Sequence, residues 1–562
     1  MPTAPLSAPK VTAAAAPPQV IQGGMGVGVS GWRLARAVSR TGQLGVVSGT
    51  ALDAVLARRL QLGDPGGDVR RALAAFPLPE LAAAVLERYY VPGGLAEGER
   101  FRTEPMLRAE RGEAGELLTV LGNFVEVWLA KEGHEGVVGV NYLAKVQLAL
   151  APGLFGAILA GVDYVLVGAG VPAHVPELAT RLSRGEPVTV ELTVEGDAEP
   201  YVHRFDPRSL SAGGAVAAEP GAGGRCDGGE GPCECGGAGS GAGRGDAGGA
   251  RRVQNVEIGP RPERAGDPRG VDGPGTAGAE GPGVGGGVWA GLRRPDVVAI
   301  VSLPVLASYL ARDETTRPDG FVIETHGAGG HSAPPRGALE LDADGDPVYG
   351  PRDVPDLAKM APLRDQGIPF WLAGGTAHPE RLAAARAAGA AGVQIGSAFA
   401  LCEDSGMAAE LRDQVKSRAS EGSLTVRNDA AASPTSFPFK VVALPGTLSE
   451  PSVRADRRRV CDLGYLRTPY RTPKGALGYR CAAEPAAAFA RKGGDMAQAE
   501  GKVCLCNGLL ATVGLGSRRP GGTVEPPVVT LGQDLGFLAD LSPRGEPYSA
   551  VDVVDWLTGT AG

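Results

Sequence analysis

Short apolar runs recur along the chain, and most are separated by stretches with helical spacing. Eight stand out: Val20-Ile21-Gln22, Leu44 to Ser48, Val137 to Leu143, Tyr164 to Val167, Val297 to Ser302, Gly320 to Glu324, Pro369 to Ala373 and Gly392 to Gly396. A run that is apolar at consecutive positions reads as a strand buried on both faces. Alternation with helices implies parallel pairing through right-handed crossovers. The seventh unit shows the local logic. Thr376 to His378 offers a cap, Pro379 suits a first helical turn, ERLAAARAA is built of good helix formers, and Gly389 stops the helix just before the eighth run.

Eight such units predict an α/β fold, a (β/α)8 TIM barrel of the usual size once its additions are set aside. A doubly wound sheet is the alternative. The barrel is expected over residues 18–426, after a disordered Ala/Pro-rich N-terminus at 1–17. A long insertion, 183–294, falls between strands four and five and begins with a hairpin, VTVELTV then YVHRF. A Cys-containing C-terminal extension, 427–562, carries SPTSFPFKVV and the amphipathic YSAVDVVDWL and is expected to pack on the barrel.

Composition sharpens the picture in two places. Of 87 glycines, 27 lie between Ser211 and Ala290. That stretch cannot bury enough apolar surface to offset its ordering entropy, so 211–290 is predicted to be disordered. The formal net charge of -8 argues against nucleic acid or an anionic membrane as partner, since both favour clustered Lys and Arg. No apolar run approaches the ~20 residues of a membrane span. The N-terminus has no basic start followed by an apolar core. These features predict a cytoplasmic protein acting on small molecules, with its eight cysteines as thiols or ligands rather than disulfides.

Barrel chemistry sits at the carboxyl ends of the strands. There the first strand ends in Gln22-Gly23-Gly24-Met25, the third reaches Asn141, and the sixth runs into His326-Gly327-Ala328-Gly329-Gly330-His331. The seventh and eighth end in Gly374-Gly375 and Gly396-Ser397, where such barrels commonly bind a phosphate with loop and helix-terminal amides. The same glycines could simply make tight strand-to-helix turns. Gly26-Val27-Gly28-Val29-Ser30-Gly31 fits a dinucleotide fingerprint, but the acidic residue expected at the end of strand two is missing.

Taken together, IQGGMGVGVSGWRLARAVSRTGQLGVVSG, GAGGH and WLAGGTAHPERLAAARAAGAAGVQIGSAFALCEDSG resemble the nitronate monooxygenase (2-nitropropane dioxygenase) family. That family is related to FMN-dependent enoyl-acyl-carrier-protein reductases. The resemblance spans most of residues 17–410 apart from the insertion. It implies an FMN-binding barrel in which Gly374, Gly375, Gly396 and Ser397 hold the phosphate. Gln22, Gly23, Gly24, Met25, Asn141, Gly329 and Gly330 would lie near the flavin. It also implies that His331 stands beside the flavin as the catalytic acid/base, and the ordinary imidazole pKa of about 6.5 suits that role. A structural histidine bonding a neighbouring loop is the plainer reading.

The chain departs from the family pattern at Glu324 (usually Gln), Gly327 (usually Glu) and Ser332 (usually Arg), and His326 is an addition. The resemblance implies oxidation of alkyl nitronates with dioxygen. The departures leave room for an NAD(P)H-dependent enoyl-thioester reductase partnered by an acyl-carrier protein, or for an idle flavin- or metal-binding accessory protein. Cys402 is expected to be buried, and Cys226, Cys233 and Cys235 fall in the low-complexity stretch. Cys461, Cys481, Cys504 and Cys506 supply the number of ligands that a structural zinc or an iron-sulfur cluster needs, although their spacing matches no common knuckle.

Overall fold

The structure, a computed structural model, describes residues 16–110, 112–210, 289 and 291–560. The disorder expected for 1–17 and 211–290 concerns residues that lie, all but a few, outside the described ones, as do Cys226, Cys233 and Cys235.

The eight apolar runs form eight parallel strands: β1 (Val20–Gln22), β2 (Gly45–Ser48), β3 (Val138–Leu143), β4 (Tyr164–Gly168), β7 (Asp296–Val301), β8 (Gly320–Glu324), β9 (Phe370–Ala373) and β10 (Gly392–Ile395). Between β4 and β7 the expected hairpin is present as β5 (Val188–Leu192) antiparallel to β6 (Tyr201–Phe205). The strand order is β1-β10-β9-β8-β7-β4-β3-β2. Gln22 N donates to Leu44 O at 2.9 Å and Leu44 N to Val20 O at 3.1 Å, which joins the two ends of the sheet. The doubly wound alternative is thereby excluded: the sheet closes into a barrel, and closure removes its edges.

Alternation along each strand explains why consecutive positions are apolar. Val46, Leu166, Val298, Val322 and Trp371 point to one side, where with Ile21, Leu44 and Ala373 they fill the barrel interior. Their chain neighbours Val47, Val165 and Val297 pack outward under the helices of the first half. Phe321, Ile323 and Phe370 do the same in the second half. A strand buried on both sides cannot show the polar alternation of a half-exposed one.

The helix Pro379–Ala387 begins at the expected proline, and Gly389 follows its end with φ +88°. The expected cap is different. His378 occupies the N-cap without capping the helix through its side chain, while Thr376 Oγ1 donates to Gln394 O at 2.9 Å and ties β9 to β10. The dinucleotide alternative fails on chemistry. The amide of Trp32, at the start of the helix Trp32–Ser39, donates to Glu126 Oε2 at 2.9 Å, so a carboxylate of the protein takes the place a pyrophosphate would need.

The extension opens with β11 (Val426–Asp429) antiparallel to β12 (Phe439–Val442). It ends in the helix Ala550–Thr558, which starts with a Ser549/Asp552 capping box and buries Val553, Val554 and Leu557 in the core of the second half-barrel. Among the described residues no helix is long and apolar enough to cross a membrane.

Candidate active site

A cavity of about 210 Å³ opens at the carboxyl ends of the strands. Gly23, Gly24 and Met25 line it from β1, Asn141 from β3, Glu324 from β8, Gly329, Gly330 and His331 from the loop that follows, Gly374 and Gly375 from β9, and Gly396 and Ser397 from β10. Of the expected site residues in the barrel, Gln22 alone does not reach it. Its side chain is fully buried, donating to Gly23 O at 2.6 Å and Ser30 Oγ at 2.9 Å and accepting from Val46 N at 2.9 Å. Gln22 shapes the loop above β1, and its expected place beside a flavin is corrected on that account.

Two glycines are required by the close approach of neighbouring groups. A methyl group on Gly24 would lie 2.4 Å from Asn141 Cβ, and one on Gly374, where φ is +94°, would lie 2.2 Å from Thr325 Oγ1. The wall also holds two unpaired acceptors. Asn141 Oδ1 and Gln394 Oε1 are buried without a hydrogen-bond partner, although Asn141 Nδ2 donates to Gly24 O at 3.1 Å. Buried acceptors left unpaired are uncommon and mark a place for a donor.

His331 meets the cavity with its ring edge against Phe439, the centroids 4.8 Å apart, and its Nε2 lies 2.7 Å from Ser433 Oγ. Burial, reinforced by the nearby Lys145 charge, holds the imidazole well below its usual pKa. The expectation of an imidazole titrating near neutrality is therefore corrected: His331 is neutral at physiological pH. Glu324 shows the reverse. Its carboxyl is pushed up to about 7 by burial, against the opposing pull of Lys440. Lys440, fully buried, donates to His326 O at 2.6 Å and Ser332 Oγ at 2.7 Å. His326 does not line the cavity and stacks on Tyr349 at 3.9 Å.

The extension builds the remaining wall with Phe439, Tyr465, Leu466, Leu505, Cys506 and Leu509. A second strip of it, Thr530 to Gly532 with Asp534, runs across the glycine loops. Thr530 Oγ1 accepts from Gly330 N at 2.9 Å, and Gly532 N donates to Ser397 Oγ at 2.7 Å. None of these residues was expected from the sequence.

The four cysteines of the extension do gather, around a second cavity of about 10 Å³. Among the described residues, however, no three His, Cys, Asp or Glu side chains are placed to hold a metal ion. Cys504 Sγ lies 3.8 Å from Val460 O as donor and 3.5 Å from Asn507 Nδ2 as acceptor. Burial raises the thiols of Cys504 and Cys506. The expectation of zinc or iron-sulfur at Cys461, Cys481, Cys504 and Cys506 is corrected accordingly. Cys402 is buried, as expected.

Residues 291–430, which carry His331, Gly374, Gly375, Gly396 and Ser397, match the family model described as nitronate monooxygenase. The match indicates an FMN-dependent oxidoreductase. No curated protein is matched by the sequence. Among solved structures similar to the chain, FabK from Thermotoga maritima is 14% identical with a TM-score of 0.40, covering 97% of this chain and 92% of its own. The nitroalkane oxidase from Streptomyces ansochromogenes is 14% identical with a TM-score of 0.39, covering 96% and 94%. The enoyl reductase domain of MlnA from Bacillus amyloliquefaciens is 12% identical with a TM-score of 0.32, covering 76% and 64%.

Proposed function

We propose that the chain oxidises alkyl nitronates with dioxygen, using FMN held in the cavity at the carboxyl ends of the strands. One observation carries the reading: the segment matched by the family model brings His331, Gly374, Gly375, Gly396 and Ser397 to a single cavity. The residues present fit a flavin. The unpaired Asn141 Oδ1 and Gln394 Oε1 suit a planar ring edge that carries an N–H donor. Gly23, Gly24 and Met25 leave room for the ring, with Gly329 and Gly330 opposite, and the backbone at Gly374, Gly375, Gly396 and Ser397 suits a phosphate. FMN, when bound, supplies the two-electron redox chemistry.

The chain's own part is to orient the substrate and to manage a proton. His331, neutral and exposed to the cavity, is the group placed to do so. His331→Ala lowers turnover by roughly 10²- to 10⁴-fold with FMN still bound. An unchanged rate removes His331 from the reaction.

A specific observation favours a second reading, the NAD(P)H-dependent enoyl-thioester reductase with an acyl-carrier protein as partner. Glu324 stands in the cavity wall with its carboxyl pushed up to about 7, and a protonated acid suits delivery of a proton to carbon better than capture of an anionic nitronate. Anaerobic titration separates the two. Flavin bands bleached by an alkyl nitronate but not by NADH or NADPH support the monooxygenase; bleaching by the nicotinamide supports the reductase.

A further inference from the structure

Ser433-Pro434-Thr435 lies in the loop between β11 and β12, far in sequence from the barrel strands, yet it touches the back of His331. Ser433 Oγ is 2.7 Å from His331 Nε2 and 2.8 Å from Thr435 Oγ1, and Thr435 Oγ1 accepts from Lys145 Nζ at 3.4 Å. Lys145 follows β3 by two residues and is half-buried, with its ammonium 5.1 Å from the centroid of the Phe437 ring. Among the described residues no carboxylate pairs with it. A lysine half withdrawn from water with no carboxylate beside it is costly to keep charged, and such lysines exchange protons nearer neutrality.

We propose that Lys145 is the proton store of this site, and that it sets which ring nitrogen of His331 carries the proton, through the hydroxyls of Thr435 and Ser433. This rests on the reading of His331 as the proton-handling residue. With Lys145 as an ammonium, every bond of the chain donates toward the ring: Nζ to Thr435, Thr435 to Ser433, Ser433 to Nε2. Nε2 is then an acceptor, and Nδ1, the nitrogen left for the cavity, bears the hydrogen. With Lys145 as an amine the chain reverses. Nε2 then donates to Ser433, and Nδ1 presents a lone pair.

In the second state His331 is a base for a carbon acid. The substrate C–H proton passes to Nδ1 while the Nε2 proton passes to Ser433, that of Ser433 to Thr435, and that of Thr435 to Nζ. The substrate is left as its carbanion and the amine as an ammonium. The reverse sequence delivers one proton to a carbanion. Burial pushes Lys145 down to about 7, which places the exchange at physiological pH. The other ionisable groups around the chain are Glu324 and Asp534 in the cavity wall, Lys440 behind it, and Tyr465, Arg467 and Tyr479 beside Lys145.

The test is ¹⁵N-histidine NMR of the FMN-loaded protein across neutral pH, with His331→Gln assigning the signal, and kcat/KM on a neutral nitroalkane over the same range. In the unaltered protein His331 changes tautomer as pH passes about 7, and kcat/KM rises with it. Lys145→Met fixes the tautomer, flattens the pH limb and lowers the rate above it at least ~10-fold. Ser433→Ala uncouples the ring with Lys145 intact, and it answers the question should the lysine variant fail to fold. A tautomer that ignores pH in the unaltered protein, or either variant keeping the original profile, overturns the proposal. A tautomer change without nitroalkane turnover refutes the assigned reaction and leaves the relay standing. Turnover with a fixed tautomer does the opposite.

Discussion

Gly374→Ala tests the phosphate cradle most directly. At φ +94° a side chain is strained by roughly 1–2 kcal/mol before any contact is considered. The added methyl would also lie 2.2 Å from Thr325 Oγ1, well inside van der Waals contact, and 3.1 Å from both Ala328 N and Thr325 O. Thr325 Oγ1 can turn away only by giving up its 3.2 Å bond to Gly374 O, a loss of about 1 kcal/mol. The backbone atoms can retreat only by moving the loop that carries His331. The combined effect is about 2–4 kcal/mol. If the loop relaxes when empty and must be restored to hold the phosphate, most of that appears as weaker binding, an increase in the FMN Kd of roughly 10- to 1,000-fold. Fluorescence titration of the apoprotein with FMN measures it, and riboflavin, which lacks the phosphate, is the control. FMN affinity within twofold of the original refutes the cradle assignment. Equal losses for FMN and riboflavin would place the damage at the ring instead.

Glu324→Gln addresses the acid in the cavity wall. Because burial raises this carboxyl from 4.5 to about 7, the folded protein holds its proton more tightly than the unfolded chain does. The stabilising contribution is complete below about pH 4.5 and is lost as pH rises to about 7, so the variant is the more stable of the two at pH 8, by urea denaturation. Arg58→Met breaks a buried pair, since Arg58 Nε is 2.8 Å from Glu104 with both side chains under a tenth exposed, and it removes the bond from Arg58 to Leu515 O at 2.6 Å. A loss of about 3–5 kcal/mol is expected by denaturant melt, because Glu104 is left charged and unpaired. Tyr465→Phe removes the 2.6 Å bond that opposes the burial-driven rise of Asp53 to about 6. The Asp53 carboxyl then titrates higher still, as read by ¹³C NMR of the side chain.

The barrel was legible because burial on both faces leaves a strand few polar positions before its carboxyl end, and β2, β4, β7 and β8 show this at consecutive residues. Gly374-Gly375 and Gly396-Ser397 were legible as cavity residues because the site of such a barrel lies at the carboxyl ends of its strands. Lys145 was not. One lysine beyond a strand reads as a solvated end, and only the loop from residue 433 to 437 shows that it is half-buried. Nor was the wall at Tyr465, Leu505 and Thr530, because contacts between residues hundreds of positions apart have no period in the sequence. Gln22 failed for a related reason. It stands next to the site glycines, but it turns into the structure and bonds three neighbours there.

The wall supplied by the extension also bears on how the protein is made. The ring of strands is complete in the nascent chain once Ile395 has emerged, but Tyr465, Leu505 and the strip from Thr530 to Asp534 follow 70 to 139 residues later. Until then the cavity is an open bowl whose glycine loops lack their cover and whose histidine lacks the serine behind it. With FMN held as proposed, cofactor retention is a late event in biosynthesis, confined to chains that have been synthesised past Asp534.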